Sequence, residues 1–197
     1  MTKQRNTLTK EKIKNAFCQL LIDKGMDALT VSDISRLADI NRGTFYLHYV
    51  DKYDLLKKLE DNIIEDLEVI LLDEDQLSNT TEPTLFPYQS VYNALAYVKN
   101  DFPFIHALAS PNGDPMFVTR FKQVLILVFE KKIRSFPNIW QYENTLPSDY
   151  AQEILISGIM GIIQLWIKKG GEEPIEQIAQ IITKTRHLSA DDIAKNI

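Results

Sequence analysis

The chain has 197 residues, 45% hydrophobic and 25% charged, with a net charge of -5, an ordinary globular composition with enough apolar residues for one sizeable core or two small ones. Its single cysteine, Cys18, excludes an internal disulfide, and the run Ala16-Phe17-Cys18-Gln19-Leu20-Leu21 reads as a buried apolar stretch in a protein of a reducing compartment. The polar, basic opening MTKQRNTLTK lacks signal-peptide character and points to the cytoplasm; the best membrane candidate, ILISGIMGIIQLWI from Ile154 to Ile167, is shorter than the ~18 apolar residues a span needs.

The net charge hides an asymmetry. Through Lys58 there are eleven Lys and Arg against seven Asp and Glu, a balance of +4, which leaves -9 for the remainder. A basic head on an acidic body suggests that only the head approaches a polyanion.

Strand signals are nearly absent and helical spacing recurs, so the fold is expected to be all α. A first helix from about Lys10 to Lys24 places Ile13, Phe17, Leu20 and Leu21 on one face and stops at Gly25. Thr30 caps a short second helix, with Asp33 completing a Thr-x-x-Asp capping pattern and Val31, Ile34, Leu37 and Ala38 on the inner face. Asp39 to Asn41 form a turn. Asn41 caps a third helix, and Asp51 caps a long fourth one running to about Asp73.

NTTEPTLFP, residues 79 to 87, is the clearest break. Helices then follow near 88–99, 102–109, 115–135, 148–169 and 174–186, with Pro103, Pro111-Asn112-Gly113, Pro137, Pro147, Gly170-Gly171 and Pro174 as punctuation. The expected organisation is an N-terminal domain over 1–58 and a helical domain over 59–197.

The segment NRGTFYLHYVDK, residues 41 to 52, mixes types that a core helix does not need. Phe45 and Tyr49 are four apart and share an inward face, leaving Arg42, Gly43, Thr44, Tyr46, Leu47 and His48 outside or at the rim. Gly43 in the first turn costs helix stability, which close approach of another molecule to the backbone explains.

Residues 30 to 49 have the proportions of a helix-turn-helix. LTVSDISRLADINRGTFYLHYVDKYDLL, residues 29 to 56, closely resembles the DNA-binding segment of the tetracycline-repressor (TetR) family of bacterial regulators, and the likeness covers roughly residues 8 to 58. The resemblance implies a three-helix DNA-binding head joined by a long helix to an α-helical ligand-binding and dimerisation body, acting on double-stranded DNA as a homodimer.

A recognition helix enters the major groove by its N-terminal residues. Arg42 is then expected to read a guanine and Thr44 a thymine or adenine edge, while Leu47 either covers the core edge or touches a sugar or methyl group. Tyr46 and His48 are expected at phosphates, as matching family positions commonly are, with Lys52 and the capped helix start at Thr30 clamping the backbone and Ser32 at the groove edge. One departure stands out: Asp39 occupies a turn position where the family usually has glycine. With the modest basic balance, it leaves open a rival reading, an adaptor or coactivator of the same fold that works through a protein partner with weak or no DNA binding.

In the body, the helix over 148–169 is apolar nearly all round, so it must be covered on both sides. Ile154, Gly158, Gly161 and Leu165, with Ile178 and Ile182 of the next helix, are expected at a two-fold interface, as the family resemblance implies. Residues 154 to 182 also resemble a C-terminal domain type frequent in Firmicutes members. Tyr92, Tyr97, Phe102, Phe104, His106, Phe117 and Phe121, within a wider aromatic concentration that includes Phe86, Phe129 and Phe136, are expected to line a pocket for a small hydrophobic or aromatic ligand. No glycine-rich phosphate loop, His-Glu-x-x-His, paired-cysteine motif or Gly-x-Ser-x-Gly occurs, and His48, His106 and His187 are scattered, so neither an enzyme nor a metal or other cofactor is expected.

Overall fold

A computed structural model describes residues 2–73, 85–135 and 147–185. The sequence features at 79–84, Phe136 and His187 lie outside them. The described residues form helices and contain no strand: α1 (Thr2–Ala28), α2 (Val31–Leu37), α3 (Arg42–Tyr46), α4 (Lys52–Leu72), α5 (Tyr88–Asn100), α6 (Phe102–Ala109), α7 (Pro115–Ser135), α8 (Ser148–Lys168) and α9 (Ile175–Thr185).

Most boundaries fall within one or two residues of the expected ones. The exceptions are α1, which begins eight residues early, and α3, which holds only five residues before Leu47 closes it. At Gly25 the backbone turns to φ 74°, breaking the helical path where the sequence places a stop.

The helices make two compact units. The first comprises Met1–Glu65 and Asp101–Thr119, the second Asp66–Asn100 and Arg120–Ile197. Beyond the expected boundary at residue 58, the first unit also holds two further turns of α4 (residues 59–65), α6 and the start of α7 (residues 115–119).

In the first unit α1 packs against α2 and α6, and α2 against α3. Ile13, Phe17, Leu20 and Leu21 are buried along α1, Ile34 and Ala38 on and after α2, Phe45 and Tyr49 on and after α3, and Phe104, Ile105 and Leu108 on α6. Each buried Leu, Ile or Phe among them stabilises the fold by about 1.5–3 kcal/mol relative to exposure. Lys14 pairs with Asp101, and its ammonium lies 5.0 Å from the Phe104 ring centroid. Cys18 is buried in this core, and burial pushes its thiol up to about 12, which leaves it inert.

Leu37 departs from expectation. It is exposed, because a seven-residue helix turns only Ile34 and Ser35 fully inward. Asp39 makes the turn after α2 at φ 53°, a left-handed conformation that asparagine and aspartate tolerate better than other non-glycine residues.

In the second unit α9 packs on α5 and α8. Consecutive left-handed glycines, Gly170 and Gly171, reverse the chain between α8 and α9, and Lys99 donates from α5 to the Gly171 carbonyl at 2.6 Å. The Trp166 indole, almost wholly buried, donates to the Glu173 carbonyl at 3.0 Å. α8 is long and apolar enough to cross a membrane, with a mean hydropathy of 1.3, yet a third of that stretch is buried, including Ile156, Ile159, Ile163 and Trp166. It serves as a core helix of this unit.

Candidate nucleic-acid interface and regulatory cavity

The interface begins at two caps. Thr30 and Asp33 form a reciprocal capping box: the Asp33 amide donates to Thr30 Oγ1 at 3.1 Å, while the Thr30 amide and hydroxyl both donate to Asp33 Oδ2. The hydroxyl contact is the main reason the Asp33 carboxyl sits below the ordinary range. Thr30 is thus engaged inside the cap, and Ser32 beside it stays exposed. Asn41 accepts the Gly43 amide at 2.8 Å and starts α3.

On α3 only Phe45 is fully buried. Its ring meets Tyr46 edge-on and Tyr49 at a tilt, both at 5.6 Å. Arg42, Gly43, Tyr46 and Leu47 are exposed, and Thr44 and His48 half-buried. Arg42 Nη2 donates to the Tyr46 hydroxyl at 3.4 Å, a long contact between two exposed side chains that a stronger partner can replace. Leu47, 82% exposed, lies outside the core. Val50 at 75% and Tyr53 at 56%, with Leu37, add exposed apolar surface that inspection of the motif alone passed over.

A Cβ built on Gly43 would meet only the Asn41 amide oxygen, at 3.5 Å. Nothing within the protein requires glycine there.

Lys52 takes a place other than the one expected. Its ammonium donates to the carbonyls of Met26, Asp27 and Leu29 at 2.8, 3.1 and 3.0 Å, tying the start of α4 to the chain leaving α1. It acts as a structural cap here, so the expected phosphate clamp would draw on an ammonium that three carbonyls already hold.

The expected aromatic pocket and the cavity of the second unit share few residues. Of the seven expected residues only Phe121 lines the cavity, whose other walls are Leu67, Leu71, Phe86, Val91, Ala94, Leu95, Val98, Leu125, Ile159, Ile163 and Ile182. Phe102, Phe104, His106 and Phe117 belong to the first unit, where Phe104 and Phe117 are core and Phe102 stacks on His106 at 5.9 Å. Tyr92 and Tyr97 direct their hydroxyls to Glu176 and Asp66, at 3.4 and 2.7 Å. The cavity has a volume of about 30 Å³.

Of the six residues expected between subunits, Ile178 and Ile182 are buried within the second unit, and Ile182 walls the cavity. Ile154 (64% exposed) and Leu165 (55%) share an outer stripe of α8 with Tyr150, Gly158 and Gly161. No atom lies within 4 Å of a Cβ built on either glycine.

Residues 15–59 match the bacterial regulatory proteins of the tetR family, and residues 87–187 match the family's transcriptional regulator C-terminal region. The chain belongs to the TetR family. The first match covers the helix-turn-helix, and both matched families are described as regulators.

Among relatives, it is 32% identical over 116 residues to the uncharacterized HTH-type transcriptional regulator YxbF of Bacillus subtilis, covering 57% of this chain and 29% of YxbF. It is 46% identical over 48 residues to YwcC of the same organism, covering 24% of this chain and 22% of YwcC. The match thus spans less than a third of the length of these curated relatives.

A TetR transcriptional regulator from Streptococcus agalactiae superposes with a TM-score of 0.60 at 25% identity, over 93% of this chain and 96% of that one. A TetR-family regulator from Syntrophomonas wolfei shares the fold at 0.63 and 19% identity, over 92% and 94%.

Two substitutions separate structure from contact at this surface. Lys52→Met removes three charge-assisted hydrogen bonds, so chemical denaturation should show a loss of about 1.5–3 kcal/mol; the salt slope of DNA binding should stay unchanged, where loss of a phosphate contact would shrink it by about 0.9. Gly43→Ala should leave the melting temperature equal or higher while weakening DNA binding about tenfold in fluorescence anisotropy, a loss worth about 1.4 kcal/mol. Undiminished affinity would remove Gly43 from the interface.

Proposed function

We propose that this TetR regulator binds a palindromic operator as a homodimer, represses by occupying promoter DNA, and releases the operator when a small apolar ligand enters the second unit. The observation that carries the reading is the separation of roles on α3: Phe45 anchors the helix, while Arg42, Gly43, Tyr46 and Leu47 are left outside with room at Gly43 for another molecule. Arg42 is the residue for guanine and Thr44 for an adjacent base edge, with Tyr46, His48, Ser32 and the Thr30 corner positioning the phosphate backbone and Leu47 on sugar or methyl groups.

Two-fold symmetry supplies a second α3 for the next major-groove face, about 34 Å away. The outer stripe of α8, Tyr150, Ile154, Gly158, Gly161 and Leu165, supports pairing, since it presents apolar side chains around two glycines that the protomer leaves uncovered. Ile181, the exposed apolar residue of α9, extends this surface in place of Ile178 and Ile182.

The apolar cavity among α4, α5, α7, α8 and α9 supports a ligand site in this unit. Ligand pockets run to about 300–1,000 Å³, so an occupant must enlarge this one. A ligand that needs the wider state binds it preferentially and shifts the population towards it, and that differential affinity is the source of any loss of DNA binding.

Selection from a random duplex library at moderate salt tests the reading. One palindrome should be enriched, and Arg42→Ala should relax the preference at one position of each half-site. Failure of a folded dimer to enrich any sequence would favour the adaptor, acting through a protein partner. Gly158→Leu fits the protomer, so it should fold yet sediment as a monomer; a persistent dimer would move the interface off α8.

A further inference from the structure

Among the described residues, one buried cation of the second unit finds no partner. Lys132 is 6% exposed, and its ammonium is wholly shielded without a hydrogen-bond partner. Burial alone draws it down to about 8. Its neighbours on α7 do find acids: Lys131 lies 3.9 Å from Glu68, and Arg134 is 3.2 Å from Glu130. A buried, unpaired ammonium is strongly unfavourable, and apolar replacement at such a site generally stabilises a protein. A bound anion would supply the partner that the described residues do not.

Helix geometry relates this lysine to the cavity. Phe121 and Leu125 line it, and Lys132 lies seven residues past Leu125, two turns along the same face of α7 and about 10 Å up the axis. Side chains on a helix lean towards its N-terminal end, so the stem of Lys132 leans back over Val128 in the direction of Leu125. The cavity walls are aliphatic and aromatic and offer a ligand no polar anchor. Lys132 is the buried cation nearest along this face.

We infer that the cavity and Lys132 form one site for an amphipathic anion, an unbranched apolar chain occupying the cavity and an anionic head group paired with the Lys132 ammonium. The inference rests on the reading of the cavity as a ligand site and deepens it by naming the ligand's chemistry. A neutral hydrocarbon would fill the same walls while leaving the ammonium unpaired. Selectivity for the anion thus resides in one side chain.

The test is calorimetric titration of the purified full chain with dodecanoate, dodecyl phosphate and dodecanol, below micelle-forming concentrations. Wild type should bind at least one anion about tenfold or more tightly than the alcohol, and the two anions distinguish carboxylate from phosphate heads. Lys132→Met should melt higher than wild type, lose the preference for the anion, and keep its affinity for dodecanol; Lys132→Arg should retain the preference. Equal binding of anion and alcohol by wild type, or undiminished anion affinity in Lys132→Met, overturns the head-group assignment while an apolar ligand in the cavity survives. Binding of none of the three by a folded protein overturns both.

Discussion

A five-residue helix has no stability of its own, because forming the first turn fixes several residues for a single hydrogen bond. α3 exists because Asn41 supplies its cap and Phe45 buries its one inward side chain, with Tyr49 packed just beyond. α2 must in turn be held by its own capping box and by packing on α1. The exposed surface of α3 inherits its position from this chain of dependence. Arg42, Gly43 and Tyr46 are thereby left exposed, which is why so short an element carries so many candidate contacts.

The glycines divide by the same logic. Gly25, Gly170 and Gly171 have left-handed backbones, and the fold requires them. Gly43, Gly158 and Gly161 have ordinary helical surroundings in which a Cβ meets no serious obstacle, so their conformational cost brings the protomer no return. Both kinds look alike in a sequence. Lys52 and Lys132 make a similar pair: one ammonium is saturated by three carbonyls, the other is buried with none.

Much of the head was legible because its signals are local. The capping pattern at Thr30 and Asp33, the Asn41 cap and the Phe45–Tyr49 spacing depend on residues a few positions apart, and the structure has them where spacing put them. What escaped were exposures set by neighbours remote in the chain. Leu37, Val50 and Tyr53 carry no local mark of being outside, and the carbonyls that occupy Lys52 come from residues more than twenty positions earlier. The expected pocket residues and the cavity differ for a related reason: aromatic density marks a core as readily as a pocket, and the cavity walls are mainly aliphatic, drawn from α4, α5, α7, α8 and α9.

By itself the sequence determined the all-helical class, most helix limits, the helix-turn-helix and the inward and outward faces of α3, because periodicity, caps and breakers act over one or two turns. Tertiary structure alone decided that α6 joins the head, that Ile178 and Ile182 face inward, that Lys52 is a cap, and that Lys132 is buried without a hydrogen-bond partner among the described residues. Those outcomes depend on which helices meet, and a helix's own pattern states how much apolar surface it must hide without naming what hides it.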